Sequence, residues 1–231
     1  MTVKDVMGQL ERLGTAQARK TYARHGAGEN MFGVSFADLY KVQKQIRKDH
    51  GLARQLWKTR NLDAQWLATM IADPVEIDSR EADDWAKDSQ HHAHLLGGFL
   101  ADLVARSECA HEKMRAWMKS KDEFTRAAGY NLLASRLKNG DETLSDEECE
   151  RFLSTIEREI QGSPNRARYS MNTALIAIGT YRRALTAEAL KTAKRIGKGR
   201  GRSRQHGVQD AGCGAVHPEG GGAEEGREGV V

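Results

Sequence analysis

The chain has 231 residues, which is enough for one domain with a hydrophobic core or at most two small domains. Apolar residues make up 39% of it and charged residues 29%, a balance typical of soluble helical proteins and unlike that of membrane-spanning or disordered chains. The net charge of +4 is modest, so the placement of the basic residues matters more than their number.

The sequence pattern carries no targeting or metal-binding signal. No apolar run approaches the roughly 18 residues of a membrane span, and residues 1–5 lack the apolar stretch of a signal peptide. We therefore expect a cytoplasmic protein with no membrane partner. Cys109, Cys149 and Cys213 are an odd number at wide spacing, which indicates neither a disulfide framework nor a zinc site. We expect reduced thiols, no metal and no cofactor.

A helical period runs through nearly the whole chain up to Gly197, whereas the alternating pattern of strands is almost absent. Pro74 and Pro164 are the only prolines in this part, and both fall between periodic segments. The pattern predicts helices near residues 3–13, 15–24, 36–48, 52–58, 62–72, 79–87, 91–106, 111–119, 122–138, 146–161, 166–180 and 186–196.

Two helix starts carry a stronger signal than the others. Ser120 with Glu123, and Ser145 with Glu148, have the spacing of a capping box. In that motif the serine side chain binds a free amide of the first turn, so both serines are predicted to start a helix.

An irregular repeat underlies the helical pattern. Residues 56–63 and 116–123 share one plan: a short helix ending in tryptophan, a basic tight turn, then a second helix. Residues 160–166 contain a further turn of this kind. Helix pairs that cannot bury their apolar faces alone stack on their neighbours, so the repeat predicts an all-α, HEAT/ARM-like α-solenoid with a concave surface. An ordinary helical bundle is the alternative.

The last part of the chain has a different composition. Of the 35 residues from Gly197 to Val231, 11 are glycine and none is leucine, isoleucine or aromatic. Such a segment cannot bury enough apolar surface to offset its chain entropy, so we expect a disordered tail. Arg200, Arg202 and Arg204 at its start are also compatible with a nucleic-acid-binding arm.

Several segments resemble the AlkD-like DNA alkylation repair family, a group of all-α proteins with HEAT-like repeats. The segments are 32–35, 39–42, 56–57, 117–124, 126–129, 156–160, 165–169, 171–179 and 193–198. The resemblance implies one HEAT-repeat domain over residues 1–198. Family members with this ending continue differently after Lys198, and a one-base shift of the reading frame restores their sequence, so we interpret residues 199–231 as a frameshift product.

The resemblance implies an activity on DNA. AlkD-like proteins remove positively charged N3- or N7-alkylated purines, with an aspartate near the sugar and two tryptophan rings against it. A cationic base is a good leaving group, so these groups need only stabilise the oxocarbenium-like sugar. The implied function is a DNA glycosylase for alkylated purines, and the implied partner is duplex or branched DNA bound without reading its sequence.

The positions that carry this chemistry in the family are changed here. Residues 85–88 resemble the segment that precedes the family's catalytic run. His92 then stands at the first tryptophan position, Leu96 at the aspartate position and Thr173 at the second tryptophan position. Excision of the AlkD type is therefore not expected from these three residues.

Three residues near these positions are the candidates for a catalytic role: His92, Asp88 and Trp85. His91 and His94 lie beside them, so a metal site, an acid–base role or a polar helix face are the alternatives for the histidines. A single tryptophan at helical spacing is often a core residue. A hydrolase that uses the histidines is a third possibility, for which the sequence offers no nucleophile motif.

The basic positions fit the resemblance better. Arg126 matches a family position that contacts the DNA backbone. The DNA-binding candidates are Lys119, Lys121, Arg126, Arg136, Arg166, Arg168, Arg182, Arg183 and Lys194. If successive helix pairs stack, these residues line up on one edge and track phosphates, each adding salt-dependent affinity. The alternatives are a solvated charged face and a HEAT-like protein-interaction scaffold without DNA activity.

Overall fold

The computed structural model describes residues 1–92 and 95–197, and this part of the chain is helical throughout, with no strand. The predicted all-α fold class is therefore confirmed. The helices are α1 (Val3–Leu13), α2 (Ala16–Arg24), α3 (Phe36–Ile46), α4 (His50–Lys58), α5 (Leu62–Ile71), α6 (Ser79–Asp88), α7 (Gly97–Val104), α8 (Ala110–Met118), α9 (Glu123–Lys138), α10 (Asp146–Glu159), α11 (Asn165–Tyr181) and α12 (Thr186–Ile196). None of these helices is long and apolar enough to cross a membrane. The predicted tail, 199–231, lies outside the described residues.

The predicted helix over residues 91–106 is divided in the structure. A 3-10 helix covers Ser89–His92, and α7 begins only at Gly97. Two adjacent glycines at the start of α7 lower the helix propensity there. The His92 ring is also bonded to the backbone of two other segments, which holds this stretch out of a continuous helix. Ala93 and His94 lie outside the described residues.

Of the two serines predicted to cap a helix, Ser145 does so and Ser120 does not. The Ser145 hydroxyl accepts the backbone N–H of Glu148 at 3.2 Å and caps α10. Ser120 does not cap α9, because the Asp122 carboxylate does so by accepting the Thr125 N–H at 2.8 Å. Aspartate and serine are comparable N-caps, so the helix can begin two residues later at no cost.

The helices from α4 onwards form two rows. The first row contains α4, α6, α8, α10 and α12, and the second row contains α5, α7, α9 and α11. Within a pair, α4 packs on α5, α8 on α9 and α10 on α11, while successive second-row helices pack on one another. At the N-terminal end, α3 packs on α5, and α1 contacts both α4 and α5. This is the stacked-pair arrangement that the repeat predicts.

Charged side chains tie each first-row helix to the next. The pairs are Arg54 with Glu81 at 2.9 Å, Lys113 with Asp83 at 2.8 Å, Arg115 with Glu148 at 2.7 Å and Arg195 with Glu157 at 2.7 Å. Ion pairs at a protein surface contribute little to stability on their own. Because one such pair recurs at each step of the stack, together they specify how one helix pair sits on the next.

A buried carboxylate fixes the loop that leads into α3. Asp63 of α5 has no exposed surface, and it accepts the backbone N–H groups of Phe32, Gly33 and Val34 at 2.6, 3.0 and 2.8 Å. Gly33 has a φ of 78°, and a Cβ atom there would lie 2.7 Å from the Thr15 carbonyl oxygen. Only glycine fits this backbone without strain. The N-terminal helices are thereby anchored to the two rows.

Candidate nucleic-acid interface

The turns within successive helix pairs lie side by side and form one border of the stack, called here the turn edge. It comprises residues 58–62, 88–92, 118–123, 159–165 and the last turn of α12. Contacts between neighbouring turns are Arg60 Nε to Asp88 Oδ1 at 2.8 Å, Arg166 N to Glu123 Oε1 at 2.7 Å and Gln161 Nε2 to Ile196 O at 3.0 Å. The opposite border, where the second-row helices end, is called the far edge.

Three lysines on the turn edge have no partner in the part of the chain that the structure describes. Lys119 and Lys121 flank the turn between α8 and α9, and Lys194 lies in the last turn of α12. All three are exposed, and their ammonium groups form no hydrogen bond or ion pair with described residues. They are therefore available to neutralise phosphates.

Two arginines of the same edge hold the turn between α10 and α11. The Arg126 guanidinium is half-buried and forms an ion pair with Glu159 at the end of α10. Arg168 donates to the backbone carbonyls of Ile160, Gln161 and Ser163 at 3.2 to 3.3 Å. Both side chains are thus committed to structure, although Arg126 keeps 22% of its side chain exposed at the edge.

Arg166 is the second residue of α11. Its backbone N–H is bound by Glu123, but its half-buried guanidinium forms no bond with the described residues. It lies next to the turn that Arg168 stabilises. Among the predicted arginines of the turn edge, Arg166 is therefore the one whose side chain has no partner in the described part of the chain.

The expectation that all nine basic residues follow one edge is wrong for Arg136, Arg182 and Arg183, which lie at the far edge. Arg136 sits 13 residues after the start of α9, roughly 20 Å along its axis. Its side chain is 2% exposed and binds Asp141 at 2.7 Å and Thr143 at 2.9 Å. Such a buried guanidinium cannot reach a phosphate.

The other two far-edge arginines differ from each other. Arg182 donates to the backbone carbonyls of Asp141 and Leu144, so it closes the loop between α9 and α10. Arg183 is exposed and forms no bond within the described residues. It faces away from the turn edge, because α11 ends on the opposite side of the stack from where it begins.

His92 is buried and bound through both ring nitrogens. The residue is 2% exposed to solvent. Nδ1 accepts the Gly28 N–H at 3.3 Å, and Nε2 donates to the Arg60 carbonyl at 2.9 Å. Burial lowers the pKa of His92, so the ring is neutral near pH 7. Arg60 has a φ of 53°, and such backbone strain persists only where the surroundings fix it. His92 thus holds the Arg60 turn in place.

The other two catalytic candidates are also engaged. Trp85 is 4% exposed, and its ring stacks on Trp57 with centroids 4.2 Å apart and planes 2° from parallel. The Asp88 carboxylate accepts Arg60 Nε at 2.8 Å and Gln65 Nε2 at 3.1 Å. Both residues join α4 and α5 to α6, and both also line the open cleft between α4 and α6.

The positions that resemble the family's catalytic residues hold side chains packed or bonded within the fold. Leu96 is fully buried at the start of α7. Thr173 is half-buried on α11 and donates to the Tyr169 carbonyl at 3.1 Å. Sequence reasoning missed Tyr169, which is 61% exposed one turn before Thr173. Its position between Arg166 and Arg168 on one side and the changed tryptophan position on the other was the signal that could have found it.

No metal centre is visible among residues 1–92 and 95–197, where no group of three or more histidines, cysteines or carboxylates could hold an ion. His91 approaches Asp88 at 3.5 Å, which makes a pair and not a cluster. His94 lies outside the described residues, so the predicted alternative of a three-histidine site concerns a residue that the structure does not describe.

The fold places the chain in a known class. It is similar to a solved structure described as a new family of proteins related to the HEAT-like repeat DNA glycosylases, with affinity for branched DNA structures. The TM-score is 0.85 and the identity 28%, over 90% of this chain and 89% of that one. The stacked helix pairs are therefore a HEAT-like repeat fold, as in this structural neighbour.

Sequence comparison gives the family. Residues 6–205 match the model of the DNA alkylation repair enzyme family, and the chain belongs to that family. It is 25% identical to the uncharacterized protein Lin0241 of Listeria innocua and 26% identical to Lmo0209 of Listeria monocytogenes. Each match spans 194 residues, 82% of this chain and 84% of the relative. The family resemblance inferred from the sequence is confirmed.

Proposed function

We propose that this protein binds DNA, duplex or branched, by contacting backbone phosphates along the turn edge without reading sequence. The observation that carries the proposal is the exposed pair Lys119 and Lys121 on that edge, which have no partner among residues 1–92 and 95–197, in a chain whose structural relative has affinity for branched DNA. Lys194 and Arg166 extend the same edge towards the end of the stack. We place this activity in the cytoplasm.

The physical basis of the proposal is counterion release. Each phosphate neutralised by a lysine or arginine releases condensed cations, so affinity falls linearly with salt on a logarithmic scale, with a slope of about −0.9 per contact on duplex DNA. A contact of this kind positions the protein but carries no sequence information. A protein-interaction scaffold would show no such dependence on salt for DNA.

Reversing the charge of Lys119 and Lys121 tests this directly. We expect the double variant Lys119→Glu with Lys121→Glu to bind duplex DNA at least ~10-fold more weakly near 0.1 M salt and to lower the salt slope by about 1.8 units. The measurement is fluorescence anisotropy with labelled duplexes of two unrelated sequences across a salt series. Both sequences should be affected equally.

The matched control lies on the far edge. Arg106 and Lys138 are exposed there, so Arg106→Glu with Lys138→Glu makes the same change of net charge at a distance from the turn edge. This far-edge variant should bind DNA within about 2-fold of the unchanged protein, as expected for charges beyond a Debye length of roughly 10 Å. Equal losses in both variants would show a general charge effect. Unchanged binding in both, without a salt slope, would favour the scaffold.

Excision of cationic purines is expected to be weak or absent. The positions for the two tryptophans and the aspartate hold His92, Leu96 and Thr173, of which the first two are buried. No carboxylate or open aromatic face is therefore presented to a sugar at these positions. Release of 3-methyladenine and 7-methylguanine from alkylated DNA by the purified protein measures this. Robust release that is abolished in His92→Ala would contradict it, and robust release that persists would point to Asp84 or Asp88.

A further inference from the structure

Two tyrosines of α11 expose their rings to solvent, and they stand at opposite ends of the helix. Tyr169 is 61% exposed and Tyr181 is 48% exposed. Tyr169 lies four residues after the first residue of α11, about 6 Å along the axis from the turn edge. Tyr181 is the last residue, roughly 18 Å further along and at the far edge. Single exposed apolar side chains are common on protein surfaces, so only its surroundings can give Tyr169 a role.

The Tyr169 side chain contributes little to the fold. Its hydroxyl forms no hydrogen bond with residues 1–92 and 95–197, and its ring takes part in none of the aromatic contacts between them. The bond that Tyr169 does make is through its backbone carbonyl, which accepts the Thr173 hydroxyl at 3.1 Å. Removal of the ring therefore leaves α11 and its packing in place.

An unpaired cation stands beside Tyr169. Arg166 precedes it by three residues, a spacing that puts both side chains on one side of the helix with Cβ atoms about 5 to 6 Å apart. The Arg166 guanidinium has no partner in the described part of the chain. The Glu123 carboxylate at this place is occupied by the Arg166 backbone N–H at 2.7 Å. An apolar ring and a cation that can bind phosphate thus lie side by side next to the turn edge.

A second aromatic residue lies on the same face of the neighbouring helix. α9 packs on α11, and both helices begin at the turn edge. Phe124 and Asn131 of α9 are seven residues apart, as are Tyr169 and Ile176 of α11, and all four keep accessible surface. Seven residues are two helical turns, so each pair lies along one side of its helix. Because the first-row helices cover the other side, these residues lie on the open side of the second row, called here the second-row face.

We propose that Tyr169, with Phe124 beside it, receives an unpaired nucleobase of a DNA whose phosphates are held along the turn edge. This inference rests on the proposed function and names the DNA feature that the second-row face recognises, which is a nucleotide without a base-pair partner. Within an intact duplex both faces of a base are covered by its neighbours. A base in a single-stranded gap has a free face, and stacking it on an exposed aromatic ring removes both surfaces from water.

The surrounding charge favours a nucleobase over an apolar side chain of a protein partner. The cations on this part of the molecule that have no partner among the described residues are Arg166, Lys119, Lys121 and Lys194. Each nucleotide of a DNA strand brings a phosphate together with its base, so a base on Tyr169 delivers a phosphate to these cations. An apolar protein surface would leave them unneutralised. Stacking also suits binding that does not read sequence, because every base has an aromatic face.

The ring is directed towards the phosphates. Long side chains on a helix lean towards its N-terminus, and α11 begins at the turn edge. The Tyr169 ring therefore leans to the edge that carries Lys119 and Lys121. Tyr181 also has an exposed cation beside it, Arg183, but it stands at the far edge. The two tyrosines thus differ mainly in their distance from the turn edge.

The test uses two DNAs of equal length, an intact duplex and the same duplex interrupted by a short single-stranded gap. We expect Tyr169→Ala to bind the gapped DNA about 10-fold more weakly, the size of effect usual for one base stacked on an aromatic ring. The salt slope should stay unchanged, because the substitution removes no charge. Binding of the intact duplex should change by less than about 2-fold, since its bases are already stacked. Fluorescence anisotropy across a salt series measures all three.

Two further variants isolate the ring and its position. Tyr169→Phe keeps the aromatic face and should bind the gapped DNA within about 2-fold of the unchanged protein. Tyr181→Ala removes a similarly exposed ring from the far-edge end of the same helix and should bind both DNAs normally. Both tyrosines are exposed, and equal melting temperatures would establish that the variants are folded.

Three results would overturn the inference and leave the proposed function standing. Unchanged binding of the gapped DNA by Tyr169→Ala would show that no base stacks there. Equal losses on the two DNAs would show that the ring packs against the duplex and recognises no unpaired base. An equal loss in Tyr181→Ala would show that the position of the ring is irrelevant. Absence of salt-dependent binding to either DNA by the unchanged protein would overturn the proposed function and this inference with it, before any variant is made.

Discussion

Replacing Asp63 by alanine is expected to lower the free energy of unfolding by about 3 kcal/mol, because three backbone N–H groups lose a charged acceptor and stay largely buried. The loss falls on the loop 32–34, which joins the N-terminal helices to the two rows. Urea unfolding followed by far-UV circular dichroism measures it. Asp63→Asn keeps one acceptor oxygen and should cost less than the alanine variant.

The control for this substitution is Asp84→Ala. Asp84 is an exposed carboxylate on α6, 4.0 Å from Arg80. Surface changes of this kind usually alter stability by less than about 0.5 kcal/mol. If Asp63→Ala and Asp84→Ala unfolded at the same urea concentration, the three hydrogen bonds to Asp63 would not anchor the loop 32–34 as their geometry indicates.

The helices could be predicted from the sequence because their signal is local. Apolar residues recur with a helical period in α10 and α12. Ser145 is the N-cap of α10, and its hydroxyl accepts the backbone N–H of Glu148, three residues later. The division before α7 could not be predicted in this way. Gly97 and Gly98 weaken the helix there, but the break also depends on the His92 ring, whose partners lie 64 and 32 residues away in the chain.

The candidate site was harder to predict, because the role of a cation depends on what the fold brings against it. Lys121 and Arg168 both occupy basic turns of the repeat and look alike in the sequence. In the structure Arg168 is bound to three carbonyls, whereas Lys121 has no partner among the described residues. Arg136 differs again, since it lies near the end of a long helix and is buried at the far edge.

The changed catalytic positions have a structural role in this protein. At the place of the first tryptophan, His92 bonds the turn that carries Arg60, and at the place of the aspartate, Leu96 fills the core below α7. The exposed lysines that point to phosphate binding stand elsewhere, on the turn edge. The side chains found at these positions are therefore compatible with the proposed DNA-binding surface, since the two depend on different residues.

Gly129→Ala is expected to lower the free energy of unfolding by about 2 to 3 kcal/mol, through a clash between two helices of one pair. Gly129 lies in α9 where the helix passes closest to α8. A Cβ atom there would come within 2.4 Å of the Met118 backbone nitrogen and 2.8 Å of the Trp117 carbonyl carbon. Both are backbone atoms, so no side chain can turn aside and the two helices must move apart. Chemical unfolding of the purified variant measures the loss.

Gly98→Ala provides the matched comparison. Gly98 is also within a second-row helix, but a Cβ atom there would meet nothing within 4 Å. Alanine reduces the freedom of the unfolded chain and favours the helix, so this variant should gain about 0.5 to 1 kcal/mol. The two substitutions are chemically identical, and their opposite signs would isolate the close approach of α9 to α8. If Gly129→Ala were as stable as Gly98→Ala, the α8–α9 contact would have to be looser than its geometry shows, and the glycine that ends the family segment 126–129 would have no packing role.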